Sequence, residues 1–170
     1  MKKICAMLFV LLFVSAAFAQ HGDDAVVHWK SIVGVITAQG VNNPVSPNIS
    51  SGTFAWSTRN GHARVNLATG TAGFNVEGLV INGTSFSGTP GPVTSVTGTL
   101  VCSAGTAQES TFDTEPVTLS AEGDAKFTGK LANGPIACEN PLFLIRIFSP
   151  AGAQGLWIAT GAERSFGDDE

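Results

Sequence analysis

The sequence predicts an all-β fold: an antiparallel β-sandwich, or alternatively a β-barrel, of about ten short strands. Three observations point there. Glycine (20 residues) and proline (8 residues) recur too often along the 170-residue chain for long helices. Beyond the N-terminus, no stretch keeps its apolar residues at a helical period, whereas alternation of apolar and polar residues recurs. Asn60-Gly61 and Asn82-Gly83, the strongest short-range hairpin signal, both fall inside alternating segments.

The first segment, MKKICAMLFVLLFVSAAFAQ, stands outside that fold. Lys2 and Lys3 precede an apolar run over residues 4–14, and Ala17-Phe18-Ala19 supplies a small-residue cleavage site. Those are the parts of a secretory signal peptide. Residues 1–19 are expected to be the signal and residues 20–170 a single secreted β domain. The apolar run falls short of the ~20 residues a spanning helix needs, so no membrane span is expected after cleavage. Cys5 would leave with the signal.

In chain order, VVHWKSIVGVI is the expected first strand. TAQGVNNPVSPNISSG is the longest candidate loop and an expected exposed surface. GTFAWSTRNGHARVNLATG is expected to fold back at Asn60-Gly61, so that Arg59 opposes His62, Trp56 opposes Val65 and Phe54 opposes Leu67. That register puts Phe54, Trp56, Val65 and Leu67 on one face, with Ser57, Arg64 and Asn66 on the other. FNVEGLVINGTSFSG repeats the device at Asn82-Gly83, with Leu79 opposite Phe86 and Ile81 opposite Thr84.

TPGPV is a turn, because proline presets one φ and glycine takes what proline cannot. VTSVTGTLVC is a strand with Val96, Leu100 and Cys102 on one face. EPVTLSAEGDAKFTGKL reads as two strands around residues 122–124. PLFLIRIFSP is nearly continuous apolar, the pattern of a central strand covered on both faces. LWIATGA is the expected last strand.

Once Cys5 is removed, Cys102 and Cys138 are the two remaining cysteines. Export puts them in a disulfide-permissive compartment, so they are expected to pair. Two cysteines without nearby histidine cannot fill a zinc shell. Removing Lys2 and Lys3 from 9 basic residues leaves 7 against 13 acidic ones, a net charge of −6. That balance argues against nucleic acid and against an anionic membrane surface as partner.

The run SSGTFAWS…GHARVNLATGTAGFNVEGLVING…GTPGPVTSVTGTLVC resembles the layout of CHRD-type domains, secreted β domains found in chordin and in many bacterial exported proteins. The similar elements are Ser51-Gly52-Thr53, the F-x-V-x-G-L run at 74–79, and Gly91-Pro92-Val93 ahead of a strand. Those domains carry a histidine-rich segment after the Gly-Leu strand, where this chain has VINGTSFSG. The second half looks like the tail of uncharacterised bacterial exported proteins. The resemblance implies a fold and a location and names no activity.

No catalytic or cofactor motif stands out. His21, His28 and His62 show no metal-ligand spacing, and no G-x-S-x-G or phosphate-cradling glycine loop occurs. The acidic clusters Asp23-Asp24 and Asp168-Asp169-Glu170 read as solvated termini. Trp56 and Trp157 are expected in the core or at a sheet edge. Trp29, beside Lys30, is the candidate exposed aromatic, and Arg146 the candidate ligand-facing cation. The expected function is an exported structural or binding module, not an enzyme, with no cofactor or metal and with an unknown protein or surface polymer as partner. A small apolar-ligand carrier and a hydrolase with a cryptic site are the alternatives.

Overall fold

Alternating apolar residues become thirteen strands in a computed structural model that describes residues 25–149 and 151–167. They are β1 (Val26–Gly34), β2 (Pro44–Ser46), β3 (Ile49–Ser50), β4 (Ala55–Ser57), β5 (Asn60–Asn66), β6 (Thr71–Glu77) and β7 (Val80–Asn82). Then follow β8 (Ser95–Cys102), β9 (Ser110–Asp113), β10 (Val117–Thr118), β11 (Ala125–Lys130), β12 (Leu142–Phe148) and β13 (Gln154–Phe166). The expected signal peptide, His21 and both acidic termini lie outside the described residues.

The main sheet is antiparallel, in the order β10-β8-β12-β13-β1-β5-β6-β11, with β9 also paired to β8. Its two ends, β10 and β11, are consecutive strands that touch each other. The turn at 119–124 therefore joins the ends and the sheet curls into a half-barrel. Aromatic packing reports the same curl. Phe143 on β12 and Phe74 on β6 stand four strands apart in the order, yet their ring centroids are 5.9 Å apart. A flat sheet would separate them by about 19 Å at ~4.8 Å per strand.

Trp29 packs on the other side of Phe143 (5.5 Å), and Phe127 stacks on Phe74 (6.0 Å). These four rings fill the interior together with Val65, Val76, Leu100 and Ile158. The small sheet β4–β7 lies against the second half of β1, where the Trp56 N–H donates to the Val35 carbonyl. β1 changes parity to meet it: Val27 and Trp29 are buried in its first half, Ile32 and Gly34 in its second.

Several expected elements stand in place. The turn at 89–93, the strand β8 and the central strand β12 between β8 and β13 are all present. β8 is buried over residues 96–102, on both faces. Cys102, the last residue of β8, is disulfide-bonded to Cys138, with their Cα atoms 4.9 Å apart. The candidate loop at 37–52 carries the hairpin β2–β3 and buries Ile49 and Ser51.

The Asn60-Gly61 hairpin does not form. Both residues are strand, paired with Glu77 and Val76 of β6. Neither takes a positive φ, which a two-residue turn there would require. Glycine sits at 61 for space: a Cβ would lie 2.8 Å from the Ile32 Cβ. The reversal comes after β5 instead, where the Gly70 N–H reaches the Asn66 carbonyl and Gly70 holds φ at 71°. Trp56 pairs with Ile81 of β7 rather than with Val65, and Phe54 is exposed. The second hairpin is also wider than its sequence signal: Ile81 exchanges backbone hydrogen bonds with Gly88 and Thr89, leaving Phe86 exposed in the loop.

Gly98 on β8 marks how full the interior is. A Cβ there would stand 2.6 Å from Cζ of Phe143 and 2.9 Å from Cδ1 of Phe74. Gly98→Ala is expected to destabilise the protein by about 2 kcal/mol through overpacking. Urea unfolding checks this; an unchanged midpoint would mean that the rings have room to retreat.

Candidate functional site

Strands β1, β5, β6 and β11 run side by side, and on each the residues between the buried ones face outward. His28 stands directly opposite Arg64 on β5 and Ser165 on β13. Arg64 stands opposite Gly73 on β6, and Gly73 opposite Thr128 on β11. One row on, His62 opposes Asn75 and Asn75 opposes Lys126. One row back, Asn66 opposes Thr71 and Thr71 opposes Lys130. Lys30, two residues after His28, completes the set on β1.

These rows line a groove of about 730 Å³ on the outer face of the curled sheet. Trp29, Ala63 and Phe74 of the buried layer contribute to its lining. Gly73 has no side chain to stand up between Arg64 and Thr128, so the floor is low in the middle row.

The charge is one-sided. Among the described residues, four of the seven Lys and Arg side chains line this groove: Lys30, Arg64, Lys126 and Lys130. Both described histidines, His28 and His62, join them, and no described Asp or Glu lines it. The four cations are exposed. His28 is half-buried, and its Nε2 and the Ser165 Oγ are buried polar atoms without a hydrogen-bond partner.

The chain as a whole carries a formal charge of −4. Salt at physiological strength screens exposed charges beyond about 8 Å. A ligand in the groove therefore meets the local cations first, with Glu77 at the margin, where the Asn75 amide donates to its carboxylate at 3.4 Å. Net charge, which argued against nucleic acid and an anionic membrane surface, does not describe the local charge of this face.

No family model, curated protein or solved structure matches the chain. What the site can do is accordingly argued from its own residues. Lysine, arginine and histidine on a shared face can bind anionic groups by charge-assisted hydrogen bonds. Among the described residues, no three of His, Cys, Asp and Glu gather closely enough to hold a metal ion.

The two residues marked as a candidate surface do not meet in one site. Trp29 is 2 % exposed, its indole packed against Phe143 in the interior. The physical reason is parity: Trp29 shares the inward face of β1 with Val27, and Lys30 beside it points the other way. Arg146 lies on β12, outside the groove, and its Nε donates to the Gly155 carbonyl at 2.9 Å. The disulfide pair, Cys102 and Cys138, is structural and lies outside the groove lining.

His62 is the clearest residue that the sequence reading misplaces, because the expected turn at Asn60-Gly61 removed it from any strand. The available signal was even spacing. His28 and Lys30, His62 and Arg64, and Lys126 and Lys130 are each two or four residues apart, which puts each pair on one face of a strand.

Lysine on an edge strand also serves to discourage sheet-to-sheet pairing, and β11 ends the strand order. That role accounts for Lys126 and Lys130. It does not account for His28, Lys30, His62 and Arg64, which stand on the interior strands β1 and β5.

Proposed function

We propose that the protein is an exported binding module, without catalytic activity, that takes an anionic partner on the outer face of β1, β5, β6 and β11. One observation carries this reading: four of the seven described cations and both described histidines share one groove that no described carboxylate lines. Chance scatter over the surface of an acidic protein does not favour that arrangement.

The interior supports binding on the outside rather than carriage within. A small-ligand carrier needs a hollow barrel, and Trp29, Phe74, Phe127 and Phe143 fill this one. The Cys102–Cys138 disulfide is compatible with a secreted or periplasmic location. Among the described residues no helix is long and apolar enough to cross a membrane. The CHRD-type resemblance belongs to the same proposal, since it implies an exported β domain and names no ligand.

Ion exchange tests the reading directly. At pH 7 a protein of pI ≈ 5.3 should pass through a sulfonate cation-exchange column. This one is expected to be retained at low salt, and Arg64→Gln with Lys126→Gln is expected to release it. Arg59→Gln removes one positive charge outside the groove, where Arg59 sits near Glu77 and Asp124, and should change little, whereas Arg64→Gln alone should already weaken retention. Flow-through of the parent protein, or an equal effect of Arg59→Gln, would overturn the proposal.

A further inference from the structure

We infer that the ligand of this groove is an acidic polysaccharide, a sugar chain bearing carboxylate or sulfate groups, laid across β1, β5, β6 and β11. The inference rests on the anion-binding reading above and adds the class of polymer. Three features select it.

The first is spacing. His28 and Arg64 face each other across one strand interval, about 5 Å. β1 and β11 are three intervals apart, about 14 Å, and Lys126 and Lys130 are separated by about 13 Å along β11. The basic groups are spread over a plane and do not converge on a point. A small inorganic anion would reach one or two of them. An extended chain with charges at intervals reaches all of them.

The second is what lies between. Asn66, Thr71, Asn75 and Thr128 line the same groove. Each offers a neutral hydroxyl or amide beside a cation. Sugar hydroxyls between acid groups match that alternation, because each hydroxyl both donates and accepts.

The third is the lack of an exposed Trp, Tyr or Phe in the lining. Its aromatic residues, Trp29, Phe74 and Phe127, are 2 %, 2 % and 9 % exposed and belong to the core. Single-stranded nucleic acid is held by aromatic platforms on which bases stack, and among the described residues the lining exposes no large aromatic side chain, only the small His62 ring.

The row Ser165–His28–Arg64 is the anchor. His28 Nε2 and Ser165 Oγ are buried without a partner, on residues directly opposite each other across β1 and β13. Such groups are costly to leave unsatisfied. His28 lines the groove directly opposite Arg64, so an acid group of one sugar held by the Arg64 guanidinium would lie over the imidazole.

The test is isothermal titration of the purified protein with four probes: polygalacturonate, dextran sulfate, neutral dextran and a single-stranded oligodeoxynucleotide. Binding of polygalacturonate or dextran sulfate is expected, with none to dextran, and the two acidic arms distinguish carboxylate from sulfate as the recognised group. If four charges are met, affinity should fall roughly 50-fold between about 50 mM and about 200 mM salt. Arg64→Gln and Lys130→Gln should each weaken binding roughly fivefold, and Arg59→Gln should leave it unchanged. His28→Ala should weaken it further for a short acidic oligosaccharide, which depends on the anchor.

Circular dichroism and the melting midpoint of each variant separate lost binding from lost fold. Lys130 is exposed, so its variant keeps the test open if Arg64→Gln misfolds. Preference for the oligodeoxynucleotide over both acidic glycans would overturn the polysaccharide and leave anion binding standing. Binding to none of the charged probes would overturn both.

Discussion

Replacing Trp29 with alanine is expected to lower the unfolding free energy by about 3–5 kcal/mol, the range for deleting a buried large aromatic side chain. The indole is 2 % exposed and lies 5.5 Å from the Phe143 ring. Its other neighbour is the backbone of β13: a Cβ on Gly161 would stand 2.6 Å from the indole. A cavity left there faces a paired strand on one side and a packed ring on the other. Neither can move in without breaking β1–β13 pairing or the contacts of Phe143. The cost should therefore approach the upper part of that range, and the melting midpoint should fall by roughly 10–20 °C. Urea unfolding of Trp29→Ala against the parent measures it. A surface tryptophan would cost within about 0.5 kcal/mol, so a small effect would overturn the packing of the half-barrel.

Trp29 also shows where reading the chain alone stops. Alternation is a local signal. It reports which residues of one strand share a face, and it located β1, β8, β12 and β13 because their apolar residues recur at period two or fill both faces. It does not say which strands are neighbours, nor where a strand switches the parity that faces inward. β1 makes that switch between Trp29 and Ile32, where the polar pair Lys30-Ser31 interrupts the alternation without showing which residues turn inward.

The Asn60-Gly61 reading failed for a related reason. The same dipeptide serves a turn when positive φ is needed and a strand when space is needed, and only the Ile32 side chain, from another strand, decides which. The misplaced turn then moved His62 off its strand. The groove was illegible in turn, because β11 comes some ninety residues after β1 and reaches its place only through the order β1-β5-β6-β11. β1 and β5 contribute one cation each, β11 two and β6 none, too few to stand out in a chain with 13 acidic residues. Their gathering on one face is a property of the sheet.

Removing the disulfide, by Cys102→Ser with Cys138→Ser, is expected to cost about 4 kcal/mol. The chain-entropy model gives that value for the 36-residue separation of the two cysteines. Local contacts at first suggest a smaller loss. Leu142 at the start of β12 already pairs with Val101 on β8, and the Ser103 N–H donates to the Glu139 carbonyl, so native contacts close nearly the same loop. Those contacts exist in the folded protein alone. The disulfide acts mainly by restricting the unfolded chain, where β8 and β12 are apart, so the pairing does not make it redundant.

A loss of about 4 kcal/mol is a large share of the 5–15 kcal/mol that holds a typical domain. The melting midpoint should drop by roughly 10–15 °C, and amide exchange should quicken first over residues 131–141, which the disulfide ties to the end of β8. Below the new midpoint, retention on the sulfonate column should persist, because the groove is built on β1, β5, β6 and β11, and neither cysteine lines it. An unchanged midpoint would mean that the unfolded chain already holds the two segments together. Loss of retention without loss of fold would mean that the groove depends on the far side of the sheet, and the site would then have to include β8 and β12.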